Sequence, residues 1–149
     1  MHPLPCVLVA CVKDDKILLW KRKKRPYDDH WSLPGGRLRF SETMAEATAR
    51  ILKEKTFMDG EMISVNALLS EKNVDEDDIK HSYLLILTRA EPLGTIKGSD
   101  TVQWFPLESL PDKMIPSDRW FVENKRDSKM EFKEERLISQ GDALSIEFC

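Results

Sequence analysis

The chain is 149 residues long, enough for one domain with an adequate core and no need of disulfide staples. Its 26 acidic against 23 basic residues give a formal charge of −3, which excludes bulk attraction to nucleic acid or an anionic membrane and makes any phosphate recognition local. Three cysteines, Cys6, Cys11 and Cys149, form neither a Cys-x-x-Cys pair nor a secreted-type framework and fit a reducing interior.

In chain order, the apolar run "LPCVLVACV" is too short to span a bilayer, has no basic stretch before it and runs into "KDDK", so a cytoplasmic protein is expected. Val7 to Val12, the turn "KDDK" and the run "ILLW" predict a hairpin of two buried strands. The charged loop "KRKKRPYDDHW", containing Pro26, leads to the turn signal "SLPGG". Ser41 and Glu42 start a predicted helix that runs to about Met58, where Asp59-Gly60 stops it. "MISVNALLS" reads as a strand, "EKNVDEDDIK" as an acidic loop and "HSYLLILTRA" as a strong strand. "EPLGTIKGSD" is a loop before the short strand "TVQWFPL", and Ser117 is the expected N-cap of a second helix, with Asp118 in its first turn. "RLIS", "QGD" and "ALSIEF" predict a terminal hairpin, an extension over 126–149 of one domain spanning 1–149. Strands before, between and after helices place the fold in the α+β class, a mixed sheet with helices packed on it.

The most informative spacing begins at Gly36. Five residues separate it from Glu42, seven more precede Arg50, and Ile51-Leu52-Lys53-Glu54-Lys55 follow. On their own, Glu42, Glu46, Arg50 and Glu54 recur every four residues, an ion-pair ladder worth roughly 0.2–0.5 kcal/mol per pair. Ile51, Glu54 and Lys55, at i, i+3 and i+4, are expected on one helix face.

The pattern resembles the Nudix box, in which Arg is followed by Glu, an apolar residue, any residue and two further Glu. "LLWKRKK", "HWSLPGG" and "VQWFPLESLP" resemble phrases the superfamily carries around its box, so the likeness covers roughly residues 5 to 125. It implies an α/β/α sandwich, a mixed β-sheet between helices, and hydrolysis of a nucleoside diphosphate linked to another group. Mg²⁺ or Mn²⁺ is the implied cofactor, since a divalent ion held by carboxylates neutralises the diphosphate and lowers the pKa of bound water. Gly36, Glu42, Arg50 and Glu54 match the box, whereas Ile51 and Lys55 replace two of its three helix carboxylates and Phe57 replaces its last glycine. These replacements weaken or remove the metal site and leave Gly36 and Glu54 as the expected metal-binding positions. Glu54 and Arg37 are the expected catalytic residues, with Arg50 orienting Glu42 and Glu54.

"KRKKRPYDDHWSLPGGRLRFSETMAEATAR" is most similar to the GDP-mannose mannosyl hydrolases within the superfamily. Arg25 and Arg37 match arginines of that group's site, and Tyr83 falls near a tyrosine the group uses there. The group's general-base His has no counterpart in "TIKGSDTVQW", where Asp100 is the one acid. Arginine suits a diphosphate because its planar fork holds two oxygens and stays charged. Lys55 and His30 complete the expected substrate contacts, Lys55 as a countercharge in place of the metal. The basic run Lys21 to Arg25 and the acidic run Asp75 to Asp78 read as solvated segments, and His81 as a packing or capping residue. Trp20, Trp104, Trp120 and Phe121 read as packing, with one of them available to stack on a base. The expected partner is a small nucleotide or nucleotide sugar, with no nucleic acid and no membrane, and a homodimer is compatible. Three functions fit: a hydrolase of reduced or atypical activity, a catalytically inactive nucleotide or nucleotide-sugar sensor, and, more weakly, an interaction module that kept the fold alone.

Overall fold

A computed structural model of the chain describes residues 2–25, 27–128, 130–131 and 134–148; the expectations for Pro26 and Cys149 fall outside them. Strands β1 (Leu4–Lys13) and β2 (Lys16–Lys21) form the expected hairpin, with Asp14 and Asp15 both at positive φ in its two-residue turn. Two short strands follow, β3 (Trp31–Ser32) and β4 (Gly35–Arg37), and then helix α1 (Met44–Thr56). A long hairpin of β5 (Gly60–Asp75) and β6 (Asp78–Pro92) leads to β7 (Val102–Pro106) and helix α2 (Pro116–Lys125). Strands β8 (Glu135–Gln140) and β9 (Ala143–Phe148) pair as a separate antiparallel hairpin.

The main sheet runs β3-β2-β1-β6-β5, with β4 also paired to β1 and β7 to β2. It is mixed, because β1 pairs parallel to β6 while its other partners are antiparallel. Each face carries its own core. Val7, Val9, Cys11 and Leu18 meet Ala47, Ile51 and Leu52 of α1, while Ile17, Leu19, Leu85 and Leu87 meet Phe121 and Val122 of α2. This is the expected helix–sheet–helix sandwich. A hydroxyl pair, Thr48 to Thr88 at 2.9 Å, joins α1 to the sheet inside the buried layer.

Several element boundaries differ from expectation. Helix α1 starts later, because Ser41 has φ 63° and cannot cap, whereas Thr43 accepts from the Glu46 N–H at 3.1 Å and Glu46 reaches back to the Thr43 N–H at 3.2 Å. That reciprocal box is worth about 1 kcal/mol. The helix stops at Phe57, left-handed at φ 64°, before Asp59-Gly60. Helix α2 begins with Pro116 at its first position and no side-chain cap, so Ser117 is not the N-cap. The expected acidic loop is mostly strand: β5 and β6 pair out to Asp75 and Asp78, and Glu76 and Asp77, both at positive φ, make the turn. No helix among the described residues is long and apolar enough to cross a membrane.

Candidate functional site

The strand β4 that follows the β3 turn carries the glycine pair and Arg37, and its alternation sorts them by face. Gly36 faces α1, and a Cβ there would sit 3.3 Å from Ile51 Cγ1. Gly35 faces the other way, where a Cβ would lie 2.7 Å from Leu8 Cδ2, so both positions depend on close approach. Arg37 follows the face of Gly35. It is opposite Cys6, which is opposite Leu85, which in turn is opposite Leu69, and the adjoining row pairs Tyr83 with Glu71. Directly opposed residues share a face, so Arg37, Cys6, Leu85, Leu69, Tyr83 and Glu71 all lie on the α2 side.

On the α1 side, Arg50 is the hub. Its Nε donates to both Glu42 oxygens at 2.8 and 3.1 Å, its Nη1 to Glu54 at 3.2 Å and its Nη2 to the Arg37 carbonyl at 2.9 Å. Hydrogen bonding to Glu42 is the main cause of the raised Arg50 pKa, so the guanidinium stays charged. The second Glu54 oxygen accepts from Arg39 Nη2 at 3.1 Å. Lys55 turns its Nζ over the Trp20 ring, 4.8 Å from the centroid.

Ile51, Glu54 and Lys55 therefore do not act as one face. Ile51 is fully buried beneath Gly36, Glu54 is exposed between two guanidiniums, and Lys55 lies against an indole. The exposed Arg39–Glu54 pair is worth less than about 1 kcal/mol and is easily displaced. Ile51 is the stronger obstacle, because a hydrocarbon with no exposure fills the position from which a carboxylate would reach an ion beside Gly36. Among the described residues no three His, Cys, Asp or Glu come together as a potential metal site, and Asp100, Glu76, Asp77 and Asp78 do not supply one. The donor set does not fit a divalent ion.

Arg25 is exposed on the loop after β2. His30 packs edge-on to Tyr27 at 5.3 Å, with its Nδ1 3.0 Å from the Asp28 carbonyl, and Tyr83 stacks on His81 at 5.9 Å. None of these three is hydrogen-bonded or ion-paired to Glu42, Arg50 or Glu54. Beside Tyr83 and Glu71 an open cleft of 350 Å³ lies between the sheet and α2, lined by Leu69, Glu71, Leu85, Ser117, Trp120 and Phe121. One end of α2 is fixed by Asp118, whose carboxylate accepts from Ser32 Oγ at 2.8 Å and from the Leu33 N–H at 2.9 Å. Burial pushes the Asp118 pKa up to about 6, against the opposing pull of these hydrogen bonds and of Arg22. Asp118 thereby ties the cleft-lining helix to the segment entering the glycine pair.

A family model described as the NUDIX domain matches residues 2–124. The chain belongs to the NUDIX family of hydrolases. This NUDIX chain is 34% identical over 115 residues to an ADP-ribose pyrophosphatase of Methanocaldococcus jannaschii, covering 74% of this chain and 66% of that protein. It is 30% identical over 124 residues to the human 8-oxo-dGDP phosphatase, covering 76% of this chain and 36% of that protein. The match thus spans just under two thirds of the first relative and about a third of the second. In fold it is similar to the NUDIX hydrolase from Nitrosomonas europaea, with a TM-score of 0.67 at 23% identity over 83% of this chain and 72% of that one.

Sequence reasoning missed Arg39, Trp20 as the seat of Lys55, Asp118 as an anchor and Glu71 as a cleft residue. Arg39 and Glu54 carry no mutual signal at a separation of fifteen residues, and Glu71 was hidden by reading its strand as a loop.

Proposed function

We propose that this chain hydrolyses nucleoside diphosphate derivatives, nucleotide sugars among them, in the cytoplasm, slowly, and with the diphosphate held by fixed cations instead of a metal. The carrying observation is Ile51, fully buried against Gly36 where a metal-binding carboxylate would be needed. The archaeal relative is named for ADP-ribose and the human one for 8-oxo-dGDP, and both compounds are nucleoside diphosphate derivatives. Arg37, exposed on the cleft side of β4, grips two phosphate oxygens and stabilises charge growing on the leaving phosphate. Arg25, on a loop, is the second phosphate contact. Arg50 connects the Arg37 carbonyl to Glu54, so the remaining box carboxylate is held in register with the phosphate-binding strand. Because Arg37 is the last residue of β4, a diphosphate gripped there reaches past the strand end to the α1 side, where Glu54, displaced from Arg39, accepts the proton of an attacking water.

Lys55 favours a second reading, a nucleotide sensor without turnover, since an ammonium on Trp20 takes the place of a box carboxylate. Product release from ADP-ribose, GDP-sugars, UDP-sugars and nucleoside triphosphates, assayed beside binding, separates the two. The hydrolase reading expects slow turnover that Glu54→Gln abolishes and Arg37→Ala reduces through weaker binding. Tight binding with no turnover establishes the sensor, and an inert chain that binds none of these compounds contradicts both readings.

A further inference from the structure

The match to the NUDIX domain ends at residue 124, yet two side chains beyond it return to the box. Past α2 the chain borders the β5 edge of the sheet, where the Met130 N–H donates to the Val65 carbonyl at 3.4 Å. Glu134 and Arg136 then meet the start of α1. The Glu134 carboxylate accepts from the Met44 N–H at 2.8 Å and the Ala45 N–H at 3.3 Å, the first two donors of that helix. Arg136 Nη2 donates to the Ser41 carbonyl at 3.2 Å and pairs with Glu46.

Stabilising the helix start does not by itself account for these contacts, since Thr43 and Glu46 already form a capping box and the Ser41 carbonyl lies outside the helix. What the contacts share is Glu42, which they bracket, with Ser41 before it and Met44 and Ala45 after. Ser41 has φ 63°, a conformation that a serine keeps only where its surroundings impose it, and Arg136 holds the carbonyl of that residue. Glu42 in turn takes both bonds from Arg50 Nε, and the other nitrogens of Arg50 reach Glu54 and the Arg37 carbonyl. We propose that Glu134 and Arg136 are positioning residues, by which the segment beyond the family match braces the box loop and fixes Arg50 and Glu54. The consequence for turnover rests on the hydrolase reading above, whereas the placing of Arg50 does not.

The test follows exchange of the Arg50 Nε–H with solvent by NMR, beside hydrolysis of ADP-ribose and GDP-sugars, in full-length proteins. The parent is compared with Glu134→Ala, Arg136→Met, with the conservative Arg136→Lys, and with Lys53→Ala, which removes an ion pair to Asp59 at the other end of α1. In the double variant Arg50 exchange should quicken at least about tenfold through local opening. Its kcat should fall about tenfold with KM unchanged, because Glu54 is misplaced while the phosphate contacts stay. Arg136→Lys should restore both towards the parent, and Lys53→Ala should alter neither. A purely stabilising role would quicken exchange of the Val9 and Leu87 amides in the sheet by the same factor. Arg50 exchange that is unchanged, or that rises only together with Val9 and Leu87, overturns the inference, as does an unchanged kcat in an active parent. A parent without turnover whose Arg50 signal responds as expected overturns the hydrolase reading alone and leaves the brace standing.

Discussion

In the double variant Ile51→Glu, Lys55→Glu, urea unfolding under chelating conditions should show a loss of about 3 kcal/mol relative to the parent, because a carboxylate is buried without a partner. Millimolar Mn²⁺ should return about 1–3 kcal/mol, since an ion bound only by the folded chain stabilises it in proportion to the logarithm of its saturation. The parent should show no such Mn²⁺ response. The reason is local: Ile51 is wholly inside the α1-side core and touches the space above Gly36, so the parent has an apolar plug where the variant has a ligand. The exposed Glu54 alone cannot compensate, shared as it is between Arg39 and Arg50. A parent stabilised by Mn²⁺ as strongly as the variant would show that this plug does not govern the site.

Asp118→Asn should raise the unfolding free energy at pH 7 by about 1–3 kcal/mol, since each pKa unit of displacement corresponds to about 1.4 kcal/mol. The displacement is upward, from 3.8 to about 6, and burial is its main cause, opposed by hydrogen bonds from Ser32 and Leu33 and by Arg22, with Glu71 adding to it. The folded chain therefore holds this proton to higher pH than the unfolded chain does. The associated stability is fully present below 3.8 and lost as pH rises through about 6. Asparagine keeps an acceptor for the Leu33 N–H without the charge, so its advantage should appear between pH 4 and 6 and level off above. Asp118→Ala should fall below Asp118→Asn by about 1–3 kcal/mol at every pH, because the buried Leu33 N–H loses its acceptor. Urea unfolding of the three proteins across that range measures both effects, and a difference between parent and Asp118→Asn that stays constant with pH would refute the assignment.

Local features of the fold were legible and distant pairings were not. The β1–β2 hairpin follows from two apolar runs around "KDDK", and the resemblance to the Nudix box implied a sandwich whose two faces the structure fills with separate cores. Ser41 was read as the helix start and the Thr43–Glu46 capping box was not read, because only the backbone conformation of Ser41 eliminates it as a cap. Ile51 was visible as a departure from the family pattern, whereas its complete burial under Gly36 depends on how β4 crosses α1. Asp118 looked like a first-turn acid serving the helix dipole, yet its partners lie 85 and 86 residues away, where no local rule reaches. The acidic run around Asp75 concealed a hairpin because Glu76-Asp77 lacks the glycine that usually marks such a turn. With that hairpin went the position of Glu71, and with it the cleft.

In the proposed function fixed cations, rather than a divalent ion, hold the diphosphate. Calorimetric titration of GDP and ADP-ribose into the parent chain, with excess EDTA and then with excess Mg²⁺, tests it most directly. Binding should survive EDTA and be unchanged or weaker in Mg²⁺, which competes with Arg37 for phosphate oxygens, and Arg37→Ala should weaken it under both conditions. Affinity that disappears in EDTA and returns with Mg²⁺ would contradict the claim.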